Sequence, residues 1–359
     1  MTLSPDISAV SEHLHAPTWQ QGELRLICDA RWQETHDVVS FRFHATEPLK
    51  FLFKPGQFIT FHVDIADELY HRSYTISSSP TRPHSLMVTI KRVEGGRVSN
   101  YLIDNLQPGH SIRASGPFGD FNVVDIAAER YLLLSAGCGV TPMYSISRFL
   151  TDTHGHRADI AFLHSASTVN DLIFADSLKA MSQRNDGVDI NYLIQHVSDA
   201  DELSNNMHSS KLNAELLTLL VPDFQQRTVF VCGPQRFMDA AQALFAACDF
   251  DMSRYHSENF AQAMALENPI SGGNFQLTVA ASSRVLSAKQ TLLDGLLEMQ
   301  LPIIAACRSG VCGSCKCKVV KGEVISSSSE TLTAAEIEQG YVLACSSHAQ
   351  SDVDIDLAS

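Results

Sequence analysis

Long apolar runs are missing from this sequence. Nothing approaches the 18 or more consecutive apolar residues of a membrane-spanning helix, so a membrane span is not expected. Basic residues are scarce: 26 Lys and Arg against 40 Asp and Glu leave a formal net charge of −14, which disfavours nucleic acid as a partner. No leader with a basic start, an apolar middle and a small-residue cleavage site is visible. The cysteines number nine, an odd count, which suits free thiols in a reducing cytoplasm better than disulfides. No period of solenoid length repeats, and low complexity is confined to residues 326–329. What is left is 359 residues of ordinary globular composition, 45% hydrophobic and 18% charged, a length that favours two or three domains.

Residues 1–22 lack periodicity and read as an N-terminal arm. Alternating runs at 24–28, 38–43, 57–63, 70–76 and 86–93 follow, separated by turn signals such as Lys54-Pro55-Gly56 and Pro108-Gly109. They predict a small antiparallel β-barrel over 23–125, with one helix at 98–106. Over 126–258, strand-like runs at 131–136, 159–164, 188–194 and 228–232 alternate with helical segments at 143–153, 171–184 and 235–247. That βαβ series predicts an α/β domain with a parallel sheet. Residues 259–273 read as a linker. The segment 274–359 mixes strands at 275–280, 317–324 and 352–357 with a helix at 290–299, a compact α+β unit.

That last segment carries the most specific signal. Cys307, Cys312, Cys315 and Cys345 have the spacing C-x4-C-x2-C, then a lone Cys 30 residues on, the pattern of a plant-type [2Fe–2S] cluster. Gly310 and Gly313 let backbone N–H groups crowd toward sulfur. Ser309 and Ser314 are small potential donors, Arg308 and Lys316 would favour thiolate, and Pro302 with residues 303–306 would shield the loop from water. Cys317 reads as a non-ligand on the other face of a strand. Structural zinc is the competing reading, in a non-redox binding module, but it usually pairs two C-x2-C knuckles or adds histidine, and only one such knuckle exists here. The histidines, among them His62, His71 and His164, are scattered without ligand spacing and read as hydrogen-bonding groups. Cys28 and Cys138 read as small buried hydrophobes.

A one-electron centre needs a donor, and two glycine turns suggest one. The run 131–136 leads directly into Gly137-Cys138-Gly139-Val140-Thr141-Pro142 and a helix, where close backbone approach and unpaired N–H groups suit a pyrophosphate. The run 228–232 ends at Cys232-Gly233-Pro234 before another helix, and both turns lie at strand ends where α/β sheets bind ligands. In the barrel segment, Arg72-Ser73-Tyr74-Thr75 supplies a phosphate partner, a ring to stack and a hydroxyl. Gly96-Arg97-Val98-Ser99 opens a helix, a further anion site.

Together these residues resemble the ferredoxin–NADP reductase superfamily from about residue 23 onward. The resemblance implies a flavin bound through an R-x-Y-[ST] motif at Arg72, Tyr74 and Thr75 and a flavin phosphate at Gly96, Arg97, Val98 and Ser99. It also implies a pyridine nucleotide on the G-x-G-x-[TS]-P turn at Gly137, Gly139, Thr141 and Pro142. A C-G-P motif at Cys232, Gly233 and Pro234 would lie close to where nicotinamide meets flavin. Residues 257–260 resemble the segment that closes over the flavin, with Phe260 as a ring contact. The domain order, ending in a β-grasp ferredoxin unit, resembles reductases for hybrid cluster protein and reductase components of Rieske-type oxygenases that demethylate betaine-like amines. Phthalate-dioxygenase reductases share that order but use FMN; the helix start at Gly96 looks more like the FAD-binding branch.

The implied activity carries electrons from NADH through FAD and [2Fe–2S] to a separate protein, with Tyr74, Thr75 and Cys232 nearest the hydride transfer. NADH is favoured over NADPH because residues 164–168 offer no base for a 2′-phosphate and Asp171 would repel one. A Rieske centre requires C-x-H together with C-x2-H. That pair is absent, so an oxygenase site would lie on another polypeptide.

Overall fold

The computed structural model describes residues 16–198, 203–259, 273–288, 290–304, 308, 310, 313–329 and 331–357. The chain falls into two compact units, Met1–Phe260 and Ala261–Ser359.

The first unit begins with an antiparallel sheet of six strands. These are β1 (Gly22–Thr35), β2 (Val38–Ala45), β3 (Phe58–Ile65), β4 (Glu68–Thr75), β5 (Leu86–Lys91) and β6 (Ser111–Phe118), in the order β4-β3-β6-β1-β2-β5. The two outer strands meet, because Ile76 bridges Val88 and Ser77 N donates to Met87 O at 2.8 Å, so the sheet curls into a barrel. Alternation builds its core: Val39, Phe41 and Phe43 of β2 point in with Ile59, Phe61, Val88 and Ile90. Helix α1 (Arg97–Asn105) plugs the barrel with Val98, Leu102 and Ile103. The strand β6 has no counterpart among the sequence-predicted runs; its Ser-Ile-Arg-Ala-Ser-Gly-Pro-Phe sequence is too polar and glycine-interrupted to stand out.

The remainder of this unit is a parallel sheet of β7 (Tyr131–Ala136), β8 (Ile160–Ala166), β9 (Val188–Ile194), β10 (Met207–His208), β11 (Thr228–Gly233) and β12 (Tyr255–Asn259). Its order is β10-β9-β8-β7-β11-β12, so the direction of winding reverses between β7 and β11. Helices α2 (Val140–His154) and α3 (Ala175–Arg184) cover one face, and α4 (Ala214–Leu220) and α5 (Gln235–Ala247) the other. Every residue of β7 is buried, as a strand sandwiched between helices must be. At the N-terminal edge the buried Arg227 guanidinium donates to Asp223 Oδ1 (2.8 Å), Asp159 Oδ1 (2.7 Å) and Tyr131 O (3.1 Å), tying three strand entries together. Asn259, expected in the linker, is the last residue of β12.

The second unit holds β13 (Asn274–Val279), β14 (Ser282–Ser287), α6 (Leu292–Glu298), β15 (Lys316–Lys321), β16 (Val324–Ser326), α7 (Ala334–Glu338), β17 (Tyr341–Leu343), β18 (Ser347–Ala349) and β19 (Val353–Asp356). The main sheet runs β14-β13-β19-β15-β17, and β16 pairs with β18. The run expected as one strand over 317–324 is therefore two, broken after Lys321 and sent to different sheets. Helix α6 starts at Leu292 because Thr291 and Asp294 cap it reciprocally. Among the described residues, no helix is long and apolar enough to cross a membrane.

Candidate functional site

The switch point of the parallel sheet brings the two glycine turns together. β7 ends at Ala136, Gly137–Gly139 makes one 3-10 turn, and α2 follows at Val140. A Cβ on Gly139 would lie 2.2 Å from Cys232 O, so only glycine lets this turn rest on the end of β11. Thr141 Oγ1 donates to Cys138 O at 3.0 Å. Pro142 is the third residue of α2, within the opening turn, where a missing N–H costs nothing. Pro234 is the N-cap of α5, with no side-chain cap hydrogen bond there.

Cys232 is fully buried, and burial first, then the charge of Glu258, pushes its thiol well up. Glu258 on β12 is the Cα partner of Cys232. Part of the residue reaches solvent, yet its Oε2 is buried without a hydrogen-bond partner, and burial pushes the carboxyl up to about 8. Glu258 is a site residue the sequence did not single out; a carboxylate in the flagged 257–260 segment was the available signal. Phe260 lies outside the described residues.

The barrel meets this corner along β4 and β5. Tyr74 packs on Phe61 at a centroid separation of 5.6 Å, and burial drives its phenol above the ordinary range. Thr75 Oγ1 is buried with no hydrogen-bond partner. Ser73 Oγ bonds Thr60 Oγ1 at 3.0 Å, and Arg72 Nη1 donates to His71 O at 2.7 Å. Arg97 opens α1 behind Gly96; its guanidinium sits 4.8 Å from the Tyr70 ring centre and 3.1 Å from Glu68. No side chain caps α1; Ser99 Oγ accepts from Val93 N at 3.4 Å instead, and Val98 turns into the barrel core.

Two contacts pin nucleotide turn to barrel: Cys138 Sγ to Thr89 O at 3.8 Å, and Ser145 Oγ of α2 to Ser78 O at 2.6 Å. Cys138 is thus only partly buried and lines the seam, whereas Cys28 is wholly buried as expected. His164 hydrogen-bonds Ser135 Oγ through Nδ1 at 2.9 Å, and burial lowers it to about 4. Asp171 does not begin a helix. Its carboxylate closes a turn on Thr168 N (2.9 Å) and Thr168 Oγ1 (2.8 Å) and stands 3.4 Å from His36 Nδ1.

In the second unit Cys315 and Cys345 are buried side by side. Gly310 N donates to Cys345 Sγ at 3.1 Å, and Cys345 N to Cys315 Sγ at 3.4 Å. Cys307, Cys312 and Ser309 lie outside the described residues. A Cβ on Gly310, at φ +76°, would collide with Ser328 and Ser346, so the loop closes only with glycine there. Cys317 is not set apart by strand alternation, since β15 starts at Lys316 and Cys315 precedes it; it sits in the apolar core with its thiol pushed up to about 12 by burial. Arg308 and Lys316 pair with carboxylates, Asp294 at 3.4 Å and Glu336 at 2.8 Å, while the N–H groups of Gly310 and Cys345 approach the sulfurs. Ile304 is 57% exposed, and residues 305 and 306 lie outside the described residues.

Comparison with known proteins agrees with this geometry. Residues 26–123 match the oxidoreductase FAD-binding domain, 133–243 the oxidoreductase NAD-binding domain and 278–350 the 2Fe-2S iron-sulfur cluster binding domain. The fold and site define a flavin- and pyridine-nucleotide-dependent oxidoreductase with an iron–sulfur domain. The chain belongs to the ferredoxin–NADP reductase superfamily, in the branch with a C-terminal plant-type ferredoxin domain. It is 37% identical to the glycine betaine monooxygenase reductase subunit of Pseudomonas aeruginosa, over 94% of this chain and 96% of that one. It is 36% identical to the NADH oxidoreductase HCR of Escherichia coli, over 89% and 94%. The structure of phthalate dioxygenase reductase shares the fold, with a TM-score of 0.69 over 94% and 98% at 22% identity.

Proposed function

We propose that this chain is the NADH-dependent reductase of a two-component system, feeding single electrons to a Rieske-type oxygenase that demethylates a betaine-like amine in the cytoplasm. The observation that carries the reading is the meeting of the Gly137–Gly139 and Cys232–Gly233 turns at the switch point, beside Tyr74 and Thr75, in a chain that also bears the cluster cysteines. Its likeness to an oxygenase reductase subunit along nearly its whole length supports the acceptor class.

The residues fit the groups this function requires. Thr75 Oγ1 and Glu258 Oε2 are buried polar atoms awaiting partners, as a flavin ring edge would supply. The bonds from Gly310 N and Cys345 N to sulfur are the donors a thiolate-held cluster needs. Bound flavin and cluster supply the conversion of a two-electron hydride into single electrons. The protein does the rest. Tyr74 would stack on the ring and Thr75 would bond its edge, while Arg72, Arg97 and the start of α1 with Gly96, Val98 and Ser99 would hold the phosphates. Gly137, Gly139, Thr141 and Pro142 would seat the nucleotide pyrophosphate, and Cys232, Gly233 and Pro234 would border the nicotinamide. Asp171, held on Thr168, keeps a negative charge beside the turn where a 2′-phosphate would lie.

Reconstitution tests this. Acid-released cofactor should chromatograph as FAD, NADH should exceed NADPH in kcat/KM, and NADH should drive reduction of a purified Rieske oxygenase. FMN, or an NADPH preference, would overturn those parts. The second reading, reductase for hybrid cluster protein, is favoured by the likeness to HCR and wins if only hybrid cluster protein is reduced.

A further inference from the structure

We propose that Ser77, Thr89, Ser40 and Glu34 form a proton exit path from the flavin pocket to solvent. Ser77 Oγ lies 3.1 Å from Thr89 Oγ1, Thr89 Oγ1 lies 2.8 Å from Ser40 Oγ, and Ser40 Oγ donates to Glu34 Oε1 at 2.7 Å. The three hydroxyl residues are buried, at 0%, 3% and 0% exposure, whereas Glu34 is only partly buried, its Oε1 also accepting from the exposed Trp32 Nε1 at 2.6 Å. The links come from four places in the sequence: β1, β2, β5 and the residue that closes the barrel after β4.

Position ties the chain to the reaction. Ser40 and Thr89 are Cα partners whose neighbours Phe41, Val88 and Ile90 fill the barrel, so both hydroxyls point out of it. Val38, on the same face as Ser40, belongs to the core of the parallel-sheet domain, so the path runs in the seam between the two. At its inner end Cys138 Sγ of the nucleotide turn sits on Thr89 O. Ser77 follows two residues after Thr75, whose buried Oγ1 has no partner. Two residues of extended chain span about 7 Å, a gap that two waters in line bridge. Cross-strand Ser–Thr pairs alone cement sheets. Cement does not require a carboxylate at the wet end or an orphaned Thr75 at the dry end.

The chemistry calls for such a path; this step rests on the flavin reading above. NADH gives up a hydride, two electrons with one proton, and leaves as NAD+. When the two electrons depart singly through the cluster, that proton remains and must reach water. Each hydroxyl both donates and accepts. The Ser77 hydroxyl, which also donates to Met87 O at 3.1 Å, turns its proton to Thr89 as it takes one; Thr89 passes one to Ser40, Ser40 to Glu34, and Glu34 to solvent.

The test is a single turnover of the full-length holoenzyme. The enzyme is reduced anaerobically with one equivalent of NADH and mixed with ferricyanide in weak buffer containing a pH-indicator dye, with flavin absorbance followed in parallel. In the wild type, proton release keeps pace with flavin reoxidation. In Thr89→Val and Glu34→Gln the dye signal falls behind by at least about tenfold, and Thr89→Ser restores it. Should Thr89→Val not fold, Glu34→Gln at the solvent end decides alone. Release in step with reoxidation in flavin-replete Glu34→Gln overturns the path. A wild-type protein without flavin, or not reduced by NADH, sinks the functional reading first and this path with it.

Discussion

Cys232 and Glu258 stand opposite each other on neighbouring parallel strands, and the thiol and the carboxyl share one buried corner beside the Gly139 turn. Both are held toward their neutral forms, Cys232 by burial and the nearby carboxyl, Glu258 by burial alone.

For Glu258 the folded pKa, about 8, lies above its unfolded value of 4.5. Its contribution to stability is therefore full below pH 4.5 and is lost as pH rises through 8. Glu258→Gln should remove this slope. Urea midpoints of the flavin-free protein between pH 5 and 8 should fall less steeply in the variant than in the wild type; parallel curves would refute the assignment.

His164 acts in the opposite sense. Its folded pKa is lowered to about 4 from 6.5, so the unfolded chain binds more protons between those values. Stability is kept above pH 6.5 and lost as pH falls toward 4, by about 3 kcal/mol at the limit. His164→Gln, which can still bond Ser135, should denature with a flatter acid limb.

Gly139→Ala forces a methyl to within 2.2 Å of a backbone oxygen. The turn must move off β11, costing about 1–3 kcal/mol. Calorimetry should show a lower Tm, and the KM for NADH should rise more than the KM for ferricyanide, since only the nucleotide uses this turn.

Arg227→Met should destabilise by about 1–3 kcal/mol, because it removes a buried guanidinium and leaves Tyr131 O without its donor, while Asp159 and Asp223 are partly exposed and keep Arg130. These three residues lie at the opposite edge of the sheet from the glycine turns, so chemical denaturation should register the change while the nucleotide KM stays near wild type.

Cys315→Ser should remove labile sulfide and the brown colour. The residues 1–260 form their own compact unit, so NADH-to-ferricyanide activity should persist while reduction of a protein acceptor disappears. Loss of both activities would place the flavin chemistry under control of the cluster.

Much of the fold was legible in the residues. The strands Tyr131–Ala136 and Val188–Ile194 and the helix Gln235–Ala247 have the bounds their patterns predict. Each is a strong case: strands buried on both faces make unbroken apolar runs, and the helix buries Met238, Ala241 and Phe245 at helical spacing. The polar strands Ser111–Phe118 and Ser282–Ser287 escaped notice because neighbouring strands, not their own side chains, hold them in place. Helix starts shifted at Val140 and Ala175, where backbone geometry outweighs periodicity.

By itself the sequence determined the cluster spacing, the glycine turns and the alternation that separates barrel from parallel sheet, since each depends on residues close together along the chain. Only the tertiary structure decided that Gly139 must rest on Cys232, that Glu258 completes that corner, and that Glu34, Ser40, Thr89 and Ser77 join in one line. Gly139 with Cys232, Cys232 with Glu258, and Ser40 with Thr89 come from strands dozens of residues apart, and sheet order, which local pattern does not encode, brings them together.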